Sequence, residues 1–587
     1  MAVETTTPEE FGEVSRLKGI VFEYLSLGAS VVGLLALGAL LVYVFVDAFG
    51  LATASPEWLL TYFLTLVVPF IGFCLYSIDD RALIRQTLLA LGGGLVAVAA
   101  GFAAIETFIA PIPRLSWPVG YLFLVVAPVT ARLSVAATSR PVGAAGFGVI
   151  GRLLGGAGLG IAVAIIFIVS DLELWFLAYT LGVLPAIASY AYGRYTDSDR
   201  LRTAAIPIGV LGVIAAVLLR PVVGVYPAAG LEFLWTLAVP LAIGSAAFVD
   251  RRGHGRRAAA AVGGVTLLAG GVGIALGSSA LPDGSGVAVL AMTAAPTAVF
   301  VADSYDEPGR IGLTLPVILG GGALAGAAVV AAVGVPTPEM WLTPEYLTSA
   351  PSSTAADAGL YPAIVGSIII IAMVAVISFV LGVGAAVFLE EYTAGSGWLG
   401  SITRLFQINI ANLAAVPSVV YGLLGLGLFA NLLGFGFGTA VTASLTLSLL
   451  ILPITVISAQ EAVRSVPDEL RQGSYAMGAT RWQTIKNVVL PEAMPGILTG
   501  TILALGRAIG ETAPLIMIGA ATTVFSAPSG IWSRFSAMPM QIYAWANYPQ
   551  AEFRYGVVAA GVVTLLIVLL ALNGTAIIIR NRLEREH

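Results

Sequence analysis

Apolar residues run along this chain in long unbroken blocks, and the blocks are separated by short polar clusters rich in arginine. A helix that crosses a bilayer needs about twenty apolar residues. Runs of that kind fall at 25–46, 57–77, 86–110, 117–137, 153–170, 172–193, 203–226, 231–249, 258–281 and 285–302. Six more follow at 311–334, 362–389, 407–430, 437–459, 496–522 and 555–580. The pattern predicts an all-α polytopic transmembrane protein of about 16 spans, ten N-terminal and six C-terminal. Loop charges check the count, because arginine-rich loops stay in the cytoplasm. With the N-terminus inside, the loops after even-numbered runs should be basic. They carry Arg81 and Arg85; Arg132, Arg140 and Arg152; Arg194, Arg200 and Arg202; Arg251, Arg252, Arg256 and Arg257; then Arg310. The opposite loops hold Arg114 and Arg220. Both termini and the polar linker 303–310 are therefore expected in the cytoplasm.

Composition agrees with this reading. Apolar residues make up 58% of the 587 positions and charged residues 10%, against about 25% charged in a soluble domain. A net charge of −5 argues against nucleic acid as a partner. Cys74 is the single cysteine, and the histidines are His254 and His587, so neither a disulfide nor a Cys- or His-based metal site is expected. No cofactor is expected either. The first twenty residues are polar and acidic and do not resemble a cleavable signal, so the first apolar run should remain as an anchor. One short match hints at internal repetition: SPEWLLTYF from Ser55 and TPEYLTSAP from Thr343 each follow an outward-going run.

The chain divides at 303–310. The first ten runs carry little polar chemistry, whereas the last six have longer, patterned loops, and the longest cytoplasmic one covers 460–495. It reads as two short helices. Ser465 and Asp468 form an S-x-x-D start with Pro467 in the first turn. Leu470, Ser474 and Met477 recur at helical spacing, and Gly478 is placed to end this helix. Thr480 and Gln483 form a second capping box, Trp482, Ile485 and Val489 line one face, and Pro491 closes the second helix. An amphipathic interfacial hairpin without a partner would use the same signals.

The string RQGSYAMGATRWQTIKNVVLP, with Gly478 twelve residues before Leu490-Pro491, resembles the EAA loop of ABC-importer inner-membrane permeases. NIANLAAVPSVVYGLLGLGLF from Asn409, ILTGTILALGRAIGETAPL from Ile497 and MPMQIYAWANYPQAEF from Met538 resemble one branch of them, the phosphate-specific PstA type. The resemblance covers roughly 311–587. It implies a type I permease core there, preceded by an N-terminal extension 1–302 and the linker 303–310. It implies a coupling loop in which Gln472, Gly473, Ser474, Gly478, Ala479, Leu490 and Pro491 contact a separate ATPase. Gln472 stands where the family usually has glutamate, so a charge is missing from that slot. The partners implied are a PstB-type ATPase dimer, a PstC-type second permease, an external phosphate-binding protein facing 335–361 and 523–554, and membrane lipid. The chain itself is expected to be no enzyme. A Walker A loop needs G-x-x-x-x-G-K-[ST], and neither Lys18 nor Lys486 is preceded by glycine. The alternatives are an ABC permease for sulfate, molybdate or phosphonate, or an ion-coupled secondary transporter.

Charges inside apolar runs need a reason, since each costs at least about 2.5–3.5 kcal/mol at the bilayer centre. Arg507 and Glu511 lie one helical turn apart. They read either as a self-neutralising pair that fixes packing or, as the family implies, as lining of the translocation pathway. Asn409 and Asn412 read as pathway residues or as interhelical hydrogen bonds. Arg220 reads as a snorkelling side chain at an outer helix end.

Overall fold

The computed structural model describes residues 16–585 apart from 79, 109–115, 170, 278–283, 306 and 393–397. Arg114 and His587 lie outside the described residues, as do Met1–Ser15. The fold is all-α; among the described residues the only β feature is an isolated bridge between Thr439 and Arg534. Among the described residues, fifteen helices are long and apolar enough to cross a membrane, and a sixteenth candidate is a bent pair, Leu405–Ala414 with Ser418–Leu432. The protein is a multi-pass membrane protein.

That bent pair replaces the single helix expected at 407–430. Its halves meet at 106°. Pro417 is the cause: it sits extended (φ −57°, ψ 138°) before the second half and offers no N–H to the carbonyl four residues back. Leu413 owns that carbonyl, and the Tyr421 hydroxyl donates to it at 2.7 Å.

Four of the early spans share a construction that the sequence reading missed. In each, a short helix widens into a five-residue π turn, and a second helix starts with proline at its second position. The π turns are Phe63–Val67, Leu122–Val126, Tyr179–Val183 and Leu234–Ala238, followed by Pro69, Pro128, Pro185 and Pro240. A wider turn moves aside the i−4 carbonyl that a proline ring would strike. Pro296, inside Ser285–Ser304, continues the series without a π turn. The five prolines fall 59, 57, 55 and 56 residues apart. At three of them a glycine of another helix lies against the carbonyl that the proline leaves without its α-helical donor. A Cβ on Gly322, Gly212 or Gly156 would stand 2.2, 2.2 or 2.7 Å from the oxygen of Thr65, Leu181 or Met292. Only a residue without a Cβ permits that approach.

The first and last helices are neighbours. Ala48 of Arg16–Ala48 is buried against Ala559 and Val563 of Val558–Arg585, with Val44, Phe45 and Leu342 around them. Two distant loops run side by side here: Ala48 O accepts from Trp341 N (3.0 Å) and Leu342 N (3.1 Å), Glu339 N donates to Thr53 Oγ1 (3.2 Å), and Ser55 Oγ donates to Pro336 O (3.3 Å). The matched strings make the same local structure. Ser55 accepts from Trp58 N and Thr343 from Tyr346 N, each capping a helix that opens with proline. By contrast, Arg310–Val333 packs into the N-terminal set. Its Leu315 is buried with Ile71, Phe73 and Cys74, and Gly326 lies against Tyr62 and Thr65.

The remaining core gathers Tyr361–Val387, Ala440–Arg464, Leu490–Ala508 and the last helix around Leu360, Ile370, Leu447, Ile451, Phe535 and Trp545. Tyr346 enters it from the short helix Pro344–Thr348 and donates to Val557 O at 3.2 Å; burial pushes its phenol pKa up, which keeps the donor proton in place.

Candidate coupling site

The 460–495 segment begins as the last turns of Ala440–Arg464. Ser465 closes that helix, donating from its Oγ to Ala462 O at 2.8 Å, so it does not cap the next one. Pro467 is extended (φ −59°, ψ 138°) and occupies the N-cap position rather than the first turn. The helix Asp468–Ala476 has no side-chain cap; Asp468 and Glu469 place negative charge at its N-terminal dipole instead. Gly478 ends it with φ +82°, and the turn is closed by Gly478 N to Tyr475 O (2.9 Å) and Ala479 N to Ser474 O (3.2 Å). The Thr480–Gln483 capping box is present, with Thr480 N donating to Gln483 Oε1 at 2.8 Å and Gln483 N to Thr480 Oγ1 at 3.3 Å.

Pro491 does not close the second helix. A π turn at Ile485–Val489 precedes it, and the helix runs on as one span, Arg481–Ala508. The faces also differ from expectation. Ile485 and Val489 are fully buried, but Trp482 is 57% exposed; Ser474 is buried, while Leu470 and Met477 face out, Met477 at 86%. The joint between the helices is polar: the Ser474 and Thr484 hydroxyls are 2.9 Å apart. Gln472 and Gly473 are exposed, and Ala479, Leu490 and Pro491 half-buried. Of the expected docking residues, Gln472, Gly473 and Gly478 are exposed, as are Leu470, Tyr475, Met477 and Trp482, whereas Ser474 is buried in the joint.

What holds the segment was not among the candidates. Arg471, 15% exposed, donates to Glu391 Oε1 from Nε (3.2 Å) and Nη2 (3.1 Å), to Asp468 Oδ1 from Nη1 (3.1 Å), to Val463 O from Nη2 (2.8 Å) and to Val466 O. Glu391 sits in a π turn, Phe388–Tyr392, that extends Tyr361–Val387, and its side chain is 8% exposed. Arg481 donates to the Glu391 carbonyl and lies 5.2 Å over the Tyr392 ring. Arg464 pairs with Glu390. One sequence signal pointed here: two adjacent acids ending a long apolar run need cations, and none lies nearby in sequence.

The membrane charges take a different setting from the one expected. The helix stops at Ala508 instead of continuing to 522, because Gly510 and Pro514 favour a break; a short helix, Ala513–Met517, follows. Arg507 is in the last turn and Glu511 in the break, with Nε 3.2 Å from Oε1. Glu511 is largely buried and Arg507 half-exposed. Asn409 and Asn412 are exposed, and neither side chain hydrogen-bonds among the described residues. Arg220 does not snorkel freely: it pairs with Asp171 (3.0 Å) and Glu173 (2.6 Å).

The Arg471–Glu391 pair yields a test. Removing one partner of a buried pair typically costs about 3–5 kcal/mol, because the other charge is stranded. Arg471→Met should lower the melting temperature of the purified chain and open 460–495 to protease. Arg471→Met combined with Glu391→Met should recover much of the loss. A double variant no milder than the single one would remove the pair as the fastener.

A family model described as "Binding-protein-dependent transport system inner membrane component" matches residues 381–585. The "Probable ABC transporter permease protein YqgI" of Bacillus subtilis (strain 168) is 37% identical over 179 residues, 30% of this chain and 59% of that protein. The "Phosphate transport system permease protein PstA 1" of Mycobacterium tuberculosis (strain ATCC 25618 / H37Rv) is 37% identical over 223 residues, 38% of this chain and 70% of that protein. A solved chain of the MetNI methionine ABC transporter, in an inward-facing conformation, aligns with TM-score 0.31 and 20% identity over 38% of this chain and 97% of its own. With a coupling-type loop on the page and relatives of this identity and coverage, the chain belongs to the family of ABC-importer inner-membrane permeases, in its PstA branch.

Proposed function

We propose that this chain is the permease subunit of an ATP-driven importer that carries inorganic phosphate into the cell, with both its termini in the cytoplasm. The observation that carries the reading is the 460–495 element, two helices joined at a positive-φ glycine and presenting an exposed apolar surface, in a chain whose relatives include phosphate permeases. Its partners are a PstB-type ATPase dimer, a PstC-type second permease and an external phosphate-binding protein. ATP is hydrolysed by the partner. Gln472, Gly473, Ser474, Gly478 and Ala479, with Leu490 and Pro491 behind them, form the docking element.

Motion passes from the dock to the membrane through one helix. Arg481–Ala508 extends about 39 Å from the loop to Arg507 at 1.5 Å per residue. A displacement at Trp482 is delivered to the break at 509–512, where Arg507 offers positive potential to an anion and Glu511 holds the guanidinium in place. Asn409 and Asn412 supply further polar lining once the second permease is present.

The permease unit in this proposal is discontinuous. Arg16–Ala48 belongs with 335–585, and 56–333 is a ten-helix body inserted into the loop after that first helix, in place of a boundary at 302/303. Support comes from the packing of Arg16–Ala48 on the last helix, from Arg310–Val333 packing with the N-terminal set, and from 49–55 lying beside 336–342. Insertions are tolerated where their two ends meet at a surface loop.

Radiolabelled phosphate uptake by the assembled complex tests both parts. Uptake that phosphate competes away and sulfate, molybdate or phosphonate does not is expected. Arg507→Met with Glu511→Gln should abolish it at normal subunit yield; near-normal uptake would leave the two as packing residues. Ala559→Leu, which wedges the first helix off the last, should reduce uptake several-fold. Gly326→Leu, which disturbs Arg310–Val333, should leave it within about twofold, since energetic coupling is largely confined to neighbours. The reverse pattern would return Arg310–Val333 to the permease.

A further inference from the structure

Far from the coupling loop, a cleft of about 610 Å³ opens between Gly255–Gly277 and Ser285–Ser304. Small residues at helical spacing create it. Ala258, Ala261 and Val265 form one wall, Ala298 and Val301 the other, and Leu153 of a third helix the floor. Thr293 and Thr297 also line it, but their hydroxyls donate to Val289 O (2.6 Å) and Thr293 O (2.7 Å) of their own helix. The walls thus ask for no polar partner, and an occupant that fills them must be hydrocarbon. From His254 to Ala269 the cleft follows one helix for about 22 Å, enough to span a leaflet.

One end of the cleft is charged. His254 and Tyr305 stand at this mouth, within the arginine cluster Arg251, Arg252, Arg256 and Arg257. Arg252 is paired with Asp303, and His254 Nε2 lies 3.6 Å from the same carboxylate. His254 Nδ1 is buried with no hydrogen-bond partner. Arg257 precedes Ala261 by four residues, which puts it on the cleft-lining face one turn toward the mouth. Arg256 and Arg257 are exposed, and neither has a hydrogen bond or ion pair among the described residues. The 250–257 segment and Asp303 set four arginines against two carboxylates, Asp250 and Asp303, so positive charge exceeds negative at the mouth, and Asp303 is already engaged.

We propose that this cleft binds one anionic phospholipid, with an acyl chain along the walls and the phosphate held by Arg256 and Arg257 beside His254. Basic residues at the end of an apolar cleft between helices match such a head group. A zwitterionic lipid fits less well, because its ammonium would meet a surplus of arginines. The site lies on the arginine-bearing side of the membrane and is independent of the coupling loop.

The full-length protein, purified in mild detergent and examined by native mass spectrometry, tests the site with phosphatidylglycerol and phosphatidylcholine as probes. Retention of one phosphatidylglycerol in roughly tenfold preference over phosphatidylcholine is expected for two neutralising arginines. Arg256→Gln with Arg257→Gln, both on the surface and so harmless to folding, should erase the preference. Ala298→Phe, which fills the cleft, should displace the lipid with the arginines intact. Equal retention of both lipids by the unaltered protein, or a preference that survives the double arginine change, overturns the proposal and leaves only an annular lipid shell.

Discussion

A bilayer offers no water to a backbone carbonyl, so each proline in a membrane helix leaves an oxygen that the protein must accommodate itself. Much of this fold can be read as a set of answers to that constraint. Pro417 denies Leu413 O its α-helical donor, and the Val416 N–H and the Tyr421 hydroxyl donate to it instead, at the cost of a 106° bend. Pro69 and Pro185 follow π turns, and the backbones of Gly322 and Gly212 close over Thr65 O and Leu181 O. Pro491 is accommodated by a π turn too, so the helix that starts at Arg481 runs through it as one continuous span.

That span matters because its loop end is anchored. Arg471 bonds to two carboxylates and two carbonyls and ties the Asp468–Ala476 helix both to the end of Ala440–Arg464 and to Glu391. Arg481 ties the start of the span to the same residue's carbonyl. In the proposed coupling role, a push on the exposed surface of Met477 and Trp482 would reach Glu391, at the end of one span, together with the start of another, with positive-φ Gly478 as the pivot.

Much of this was legible in the sequence. Sixteen apolar runs match fifteen helices and one bent pair, and the Thr480–Gln483 box and the Gly478 stop were read correctly, because capping is local chemistry. The misreadings involve tertiary compensation. Pro491 looks like a stop unless the preceding turn widens, and 496–522 looks continuous because its residues are apolar across the Gly510–Pro514 break. Trp482 fits the buried face by spacing, yet it is Ile485 and Val489 that meet the core. The Arg471–Glu391 pair joins residues 80 positions apart, beyond any local pattern. The proline period of 55–59 residues was in plain view, but helix-by-helix reading hides a repeat of that length.

The central claim is that 460–495 transmits ATP hydrolysis through a pivot at Gly478. A Cβ there would meet nothing within 4 Å, so substitution acts only through the positive φ, which a β-branched residue disfavours by about 1–2 kcal/mol. The direct measurement is phosphate-stimulated ATP hydrolysis per mole of ATPase copurified with the full-length chain. Gly478→Val should lose the stimulation, while Gly478→Asn, which tolerates the left-handed region, should keep most of it. Undiminished stimulation in the valine variant would contradict the account.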